Sequence, residues 1–185
     1  MENMIFENTT LITMDPERRI IHDGAIAVSG SRIVAVGKKS EVRAQFAYDH
    51  ERTDLQGMLV IPGLVNTHVH VTQALIRGCA DDLGLIDFLV KRVWVLMGNY
   101  DHDDARISTE LCILEMLKSG TTAFVESMLA LHYGFDGIAQ VVEYSGIRAA
   151  LAKTVMDMPS YIEGHAMHPG MVEDRQAAFQ EALDM

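Results

Sequence analysis

The chain has 185 residues, 49% of them hydrophobic and 22% charged, which is the composition of a globular protein with a core. Its formal net charge is -11, from 15 basic and 26 acidic residues, and this argues against nucleic acid as the main partner because phosphate binding needs a basic surface. No apolar run reaches about 18 residues, and the N-terminus has no signal-peptide pattern. We therefore expect a cytoplasmic protein that does not bind membranes.

Residues 1–57 are predicted to form the short strands of a partial β-sandwich lobe. Within them, residues 24–28 and 32–37 flank Ser29-Gly30-Ser31, the pattern of a β-hairpin, and residues 40–47 suit a brief helix. A unit of three or four strands is marginally stable alone, so we expect it to pack on further structure.

Residues 58–185 are predicted to alternate between strand and helix, which indicates a parallel sheet with crossover helices. Asp101 or Asp103 caps one of the helices, which stops at Ser119-Gly120. A (β/α)₈ barrel of about 250 residues uses roughly 31 residues per unit, so this part has room for the first three βα units. The predicted strands are residues 59–66, expected to be buried, and residues 121–126 and 147–155. The predicted helices cover 85–97, 101–118, 135–144 and 173–185, with a loop over 158–171.

Two histidines, His68 and His70, end the first of these barrel strands. Side chains alternate along a strand, so both imidazoles point to the same face. Two imidazoles on one face are half of a metal site; the alternative is a pair of histidines that bond to the backbone at a strand end.

The residues around this pair resemble the amidohydrolase superfamily. Pro62-Gly63-Leu64-Val65-Asn66 precedes the histidines as at the start of that family, and residues 75–83 and 115–124 are similar to the branch with adenosylhomocysteine, methylthioadenosine, guanine and cytosine deaminases and triazine hydrolases. The resemblance implies an α/β fold: the N-terminal portion of a (β/α)₈ (TIM-type) barrel preceded by part of a small β-sandwich. We therefore expect the chain to be truncated.

The resemblance also implies a metal-dependent hydrolase of non-peptide carbon–nitrogen bonds. His68 and His70 would be ligands of one divalent metal, Zn²⁺ or Fe²⁺, whose activated water deaminates an amino-substituted N-heterocycle. The general acid/base is expected beyond residue 185, so the segment alone should be inactive. The expected partner is then a small heterocyclic substrate. Whether the protein also forms a homo-oligomer stays open.

Four further residues are candidate substrate contacts. Asp81 and Asp82 lie in a loop that the family places near the pocket mouth, with a solvated loop as the alternative. Glu126 ends the second barrel strand, where it could orient a ligand or only support the fold. Met97 stands where nucleoside deaminases of this branch carry a glutamate, which argues against a ribonucleoside because a thioether is a weak acceptor.

Two other readings stay open. If Lys153 were carboxylated and bridged two metals, the enzyme would be a binuclear cyclic amidase, although Lys153 falls on the third strand and the bridging lysine belongs on the fourth. His165 and His168 could bind a metal or lie in a solvated loop. The competing class is a non-catalytic protein, either a truncated product or a degenerate relative.

Overall fold

The computed structural model describes residues 3–46, 49–162 and 164–184. By contacts between residues, the chain splits into two compact units, Met1–Pro62 and Gly63–Met185. A domain boundary at residue 57 stays a prediction. In the described part of the chain, no helix is long and apolar enough to cross a membrane.

The first unit is a five-stranded sheet with one helix. Its strands follow the order β3-β2-β1-β4, and β5 also pairs with β1. The predicted hairpin is confirmed, since β2 and β3 pair antiparallel around Gly30, whose φ of 59° suits glycine. Its elements are β1 (Met4–Ile12), β2 (Ile20–Ser29), β3 (Arg32–Lys38), α1 (Lys39–Phe46), β4 (Glu51–Asp54) and β5 (Leu59–Val60).

One face of β1 carries the core of this unit. Burial alternates along the strand, so Ile5 and Glu7 are buried on the same side. Ile5 packs with Ala25 and Ala27 of β2 and with Val42 of α1. Glu7 is paired there with Arg43, whose Nε lies 2.6 Å from Glu7 Oε2.

The second unit is built on three parallel strands in the order β6-β7-β8. The connection from β6 to β7 contains several helices and ends in α4 (His102–Lys118), and α5 (Phe135–Ser145) connects β7 to β8. The elements are β6 (Leu64–Val69), α2 (Leu85–Phe88), α3 (Trp94–Met97), α4 (His102–Lys118), β7 (Thr121–Leu129), α5 (Phe135–Ser145), β8 (Arg148–Lys153), β9 (Ser160–Ile162), β10 (His165–Ala166) and α6 (Arg175–Asp184).

The limits of α4 follow from its sequence. Asp101 forms a capping box with Asp104, in which each side chain accepts a hydrogen bond from the backbone N–H of the other. The chain leaves the helix through Gly120, whose φ is 86°. Of the two predicted capping residues, Asp101 is therefore the cap.

The predicted strand over residues 59–66 is corrected by the structure. It is divided at Pro62, which lacks a backbone N–H, into β5 in the first unit and β6 in the second. The predicted burial is also wrong, since Leu64 and Val65 are 52% and 62% exposed.

Two other segments differ from the expectation in detail. Residues 158–171, predicted as a loop, contain the short antiparallel pair β9 and β10 and a 3₁₀ turn, Pro169–Met171. The predicted helix over residues 85–97 is present, but a π-helical stretch, Leu89–Val93, separates α2 from α3. Trp94 and Met97 of α3 are buried.

Candidate functional site

His68 and His70 lie at the carboxyl end of β6, where the sequence placed them. His68 is exposed and His70 is half-buried, and their ring centroids are 5.2 Å apart at an interplanar angle of 67°. With metal–nitrogen bonds of about 2.0–2.1 Å, two imidazoles on one tetrahedral ion would have ring centres about 5 Å apart. The pair therefore fits two neighbouring ligands of such an ion.

Glu126 on β7 holds the ring of His70. The Nδ1 atom of His70 lies 3.2 Å from Glu126 Oε1, and the glutamate is 0% exposed. Backbone N–H groups of Val71 and Met128 donate to the same carboxylate at 2.6 and 2.7 Å. A buried carboxylate with these partners has a fixed position, so it also fixes the plane of the imidazole.

This contact decides which nitrogen of His70 can bind a metal. An ionised carboxylate only accepts hydrogen bonds, so the Nδ1 of neutral His70 carries the proton and Nε2 keeps its lone pair. The hydrogen bond to Glu126 raises the pKa of His70, while its partial burial opposes the rise. Glu126 thus orients the His70 ring, and its role at a metal or substrate site stays a prediction.

The other three candidates lie apart from this contact. Asp81 and Asp82 are exposed in the turn that follows the 3₁₀ helix Val71–Ile76, and Asp82 has a φ of 61°. Met97 is 0% exposed, and its side chain belongs to the core of the second unit. A substrate contact by any of the three stays a prediction. For Met97, complete burial in the core does not support such a contact.

Lys153 is held in an ion pair that the sequence did not indicate. Its Nζ lies 2.9 Å from Glu173 Oε1 and 2.6 Å from the carbonyl of Thr154, and both charged side chains are almost fully buried. Glu173 also accepts the backbone N–H groups of Leu131 and of Met156, the latter at 3.0 Å. The binuclear alternative gains no support, because the amino group of Lys153 is occupied by a carboxylate.

Glu173 was missed because its partners are far away in the chain. It joins the segments that follow β7 and β8 across separations of 42 and 17 residues. Its only local signal is that it is an acidic residue at the start of a predicted helix, which is common at exposed helix starts. Nothing in the local pattern indicates that this carboxylate is buried.

His165 and His168 are placed separately. His165 belongs to β10, whereas His168 precedes a 3₁₀ turn and its Nδ1 accepts the backbone N–H of Gly170 at 3.2 Å. Among the described residues, no group of three or more His, Cys, Asp or Glu side chains could hold a metal. That His68 and His70 bind a metal stays a prediction.

Comparison with known proteins identifies the family. The model of the amidohydrolase family matches residues 59–183, and that of the bacterial imidazolonepropionase-like composite domain matches residues 24–47. The 5-methylthioadenosine/S-adenosylhomocysteine deaminases of Bacillus cereus and Bacillus thuringiensis are each 37% identical over 177 residues, which is 96% of this chain and 38% of the relative. The chain thus spans well under half the length of these relatives.

Solved structures share the α/β fold. A zinc-bound adenosine deaminase from Xanthomonas campestris matches with a TM-score of 0.84 and 27% identity over 99% of this chain and 39% of its own. Atrazine chlorohydrolase from Arthrobacter aurescens, in complex with zinc, matches with a TM-score of 0.76 and 24% identity over 98% and 42%. The family match over residues 59–183 and these likenesses agree: the chain belongs to the amidohydrolase family.

Proposed function

We propose that the full-length protein is a metal-dependent hydrolase that deaminates an amino-substituted N-heterocycle. The observation that carries this is the pair His68 and His70, with His70 held by the buried Glu126 so that Nε2 is free to bind a metal. The 37% identical deaminases and the zinc-bound adenosine deaminase support the reaction class and the metal.

The chain's own residues have defined tasks in this reaction. His68 and His70 would hold Zn²⁺ or Fe²⁺, and Glu126 keeps the His70 ring in place and its proton on Nδ1. When bound, such a metal supplies Lewis acidity and a water of lowered pKa. Water adds to the ring carbon that bears the amino group, and that group leaves as ammonia. The proton shuttle is not assigned to any described residue.

The closing test measures metal and ammonia together. In full-length protein, His68→Ala/His70→Ala should lose the bound metal and ammonia release from aminopurines, aminopyrimidines and aminotriazines. His22→Ala is the matched control, since His22 is an exposed histidine of the first unit. Metal retained at the wild-type level in the double variant would refute the ligand assignment, and no ammonia from any compound would refute the reaction.

The remaining proposals concern partners and location. We expect the partner to be a small-molecule substrate rather than nucleic acid or a membrane, and the location to be cytoplasmic. The oligomeric state is to be measured on the full-length protein. A panel with free heterocycles and ribonucleosides also tests the expectation drawn from Met97, because a thioether in place of a glutamate offers ribose hydroxyls no strong acceptor.

A further inference from the structure

A groove of about 680 Å³ lies between helices α4 and α5 of the second unit. Large apolar side chains along it reach solvent: Leu114 is 55% exposed, Leu117 is 41% exposed and Tyr144 is 96% exposed. Single exposed apolar side chains are common on protein surfaces, but a contiguous group that lines one groove is typical of an interaction surface. The groove is therefore a candidate interface.

The two ends of the groove have opposite shapes. Both helices run in the same direction, because each leads back into the next strand of a parallel sheet. Arg106, Glu110 and Gly137 therefore lie towards one end, and Leu117 and Tyr144 lie towards the other. The ring of Tyr144 projects into solvent at its end. At the opposite end the groove is open, since a Cβ added to Gly137 would meet nothing from the neighbouring helix within 4 Å.

The charges along the groove cancel. Arg106 Nη1 lies 2.5 Å from Glu110 Oε1, and the other side chains of the lining are uncharged. The chain as a whole has a net charge of -11, so two copies repel each other wherever acidic faces meet. A second copy that presents this same neutral groove avoids that repulsion, whereas a highly charged partner would find no net charge here to recognise.

We infer that a second copy of the protein covers this groove in a two-fold symmetric dimer. A two-fold interface uses the same surface of both copies, so that surface must be complementary to itself. A side chain that projects at one end and an opening at the other end have this property when the two grooves pair antiparallel. Tyr144 of each copy then lies over the partner's Gly137, and its hydroxyl meets the partner's pair of Arg106 and Glu110, which offers a donor and an acceptor.

Sedimentation equilibrium of the full-length protein tests the dimer. Tyr144→Ala should raise its dissociation constant about 30-fold or more, because a tyrosine that fills a pocket is among the side chains that dominate an interface. Gly137→Phe should also prevent association, since it closes the opening and suits a helix better than glycine does. Met14→Ala is the control, because Met14 is 72% exposed in the first unit, and it should leave the dissociation constant unchanged.

A cross-link tests which residues meet. Positions 137 and 144 of one copy are seven residues apart on one face of α5, or about 10 Å along its axis. A disulfide requires Cα atoms within about 7 Å, so these two positions cannot be bridged within one copy. In full-length protein whose own cysteines are replaced by serine, Gly137→Cys/Tyr144→Cys should give a covalent dimer on oxidation, and neither single substitution should.

Three results would overturn the inference. The first is a monomeric wild type. The second is a dimer that both Tyr144→Ala and Gly137→Phe leave intact, because a different surface would then hold it together. The third is a monomer in which Tyr144→Cys reacts slowly with a thiol reagent, because another segment of the same chain would then cover the groove. Ammonia release is measured separately, so none of these results decides the proposed reaction.

Discussion

Each of the two units buries a glutamate on a strand, and the two carboxylates are satisfied in different ways. Glu7 of the first unit is paired with a full cation, Arg43, from the helix that packs on its sheet. Glu126 of the second unit is bonded to two backbone N–H groups and to the imidazole of His70. In the first arrangement, the carboxylate and its partner satisfy each other and no atom is offered to a ligand. The second leaves one nitrogen of its partner for a ligand, so burial alone does not distinguish a structural carboxylate from one that supports a site.

The largest expected effect is on the second unit, at its buried ion pair. Lys153→Met in the full-length protein leaves Glu173 buried without its cation, which should lower the free energy of unfolding by about 3–5 kcal/mol. Lys153→Met/Glu173→Gln should recover part of that loss. Urea denaturation measures both. A single variant as stable as the wild type would show that the pair is not buried in the full-length protein.

The next effect distinguishes the two glutamates directly. Glu126→Gln replaces an acceptor by an amide that cannot accept all three hydrogen bonds, so the His70 ring is less well held. We expect metal affinity to fall by about 10- to 100-fold, measured by competition with a chelator. Glu143→Gln on the exposed face of α5 is the control. If Glu7→Gln weakened metal binding as much as Glu126→Gln, the different roles of the two glutamates would be contradicted.

A smaller effect is expected for the closed pair of the first unit. Arg43→Met removes a charge-assisted hydrogen bond to Glu7, but Arg43 is partly solvated, so the loss of stability should be clearly smaller than that of Lys153→Met. Denaturation of the full-length protein gives the value, and metal content should not change. A loss of metal in this variant would contradict the division of roles between the two units.

The same pair predicts a pH dependence. The hydrogen bond from Arg43 lowers the pKa of Glu7 below its ordinary value of 4.5, against the opposing effect of burial. As pH falls below 4.5, the unfolded chain takes up this proton first, so the contribution is complete above 4.5 and is lost as pH passes through the lower folded pKa. The stability difference between wild type and Arg43→Met should be constant from about pH 6 to 7 and shrink below about pH 4.5. A constant difference down to pH 3 would contradict this.

Local patterns predicted the features that depend on a few neighbouring residues. The hairpin at Ser29-Gly30-Ser31, the cap at Asp101 and the end of α4 at Gly120 are of this kind. The shared face of His68 and His70 is also a local consequence, because it needs only the alternation of a strand. The parallel β6-β7-β8 sheet followed from the alternation of strands and helices.

The features that were missed depend on contacts between distant residues. Periodicity could not show that the apolar run at residues 59–66 pairs with two different sheets on either side of Pro62. It left open whether Glu126 orients a ligand or supports the fold, and it could not show that Glu173 meets Lys153 across 20 residues. Side-chain pairs of this kind depend on how strands are placed next to one another, and no local pattern encodes that placement.

The π-helical stretch Leu89–Val93 has a consequence for length changes in this segment. A π turn accommodates one more residue than the corresponding α-helical turn. Removing one residue from it would therefore yield a regular helix and leave Trp94 and Met97 facing the interior. If the stretch became α-helical without losing a residue, all that follows would rotate by about 100°. Trp94 and Met97 would then turn away from the interior, and the exposed neighbours Val95 and Leu96 would be brought towards it. The extra residue of the π turn therefore sets which side chains of α3 are buried.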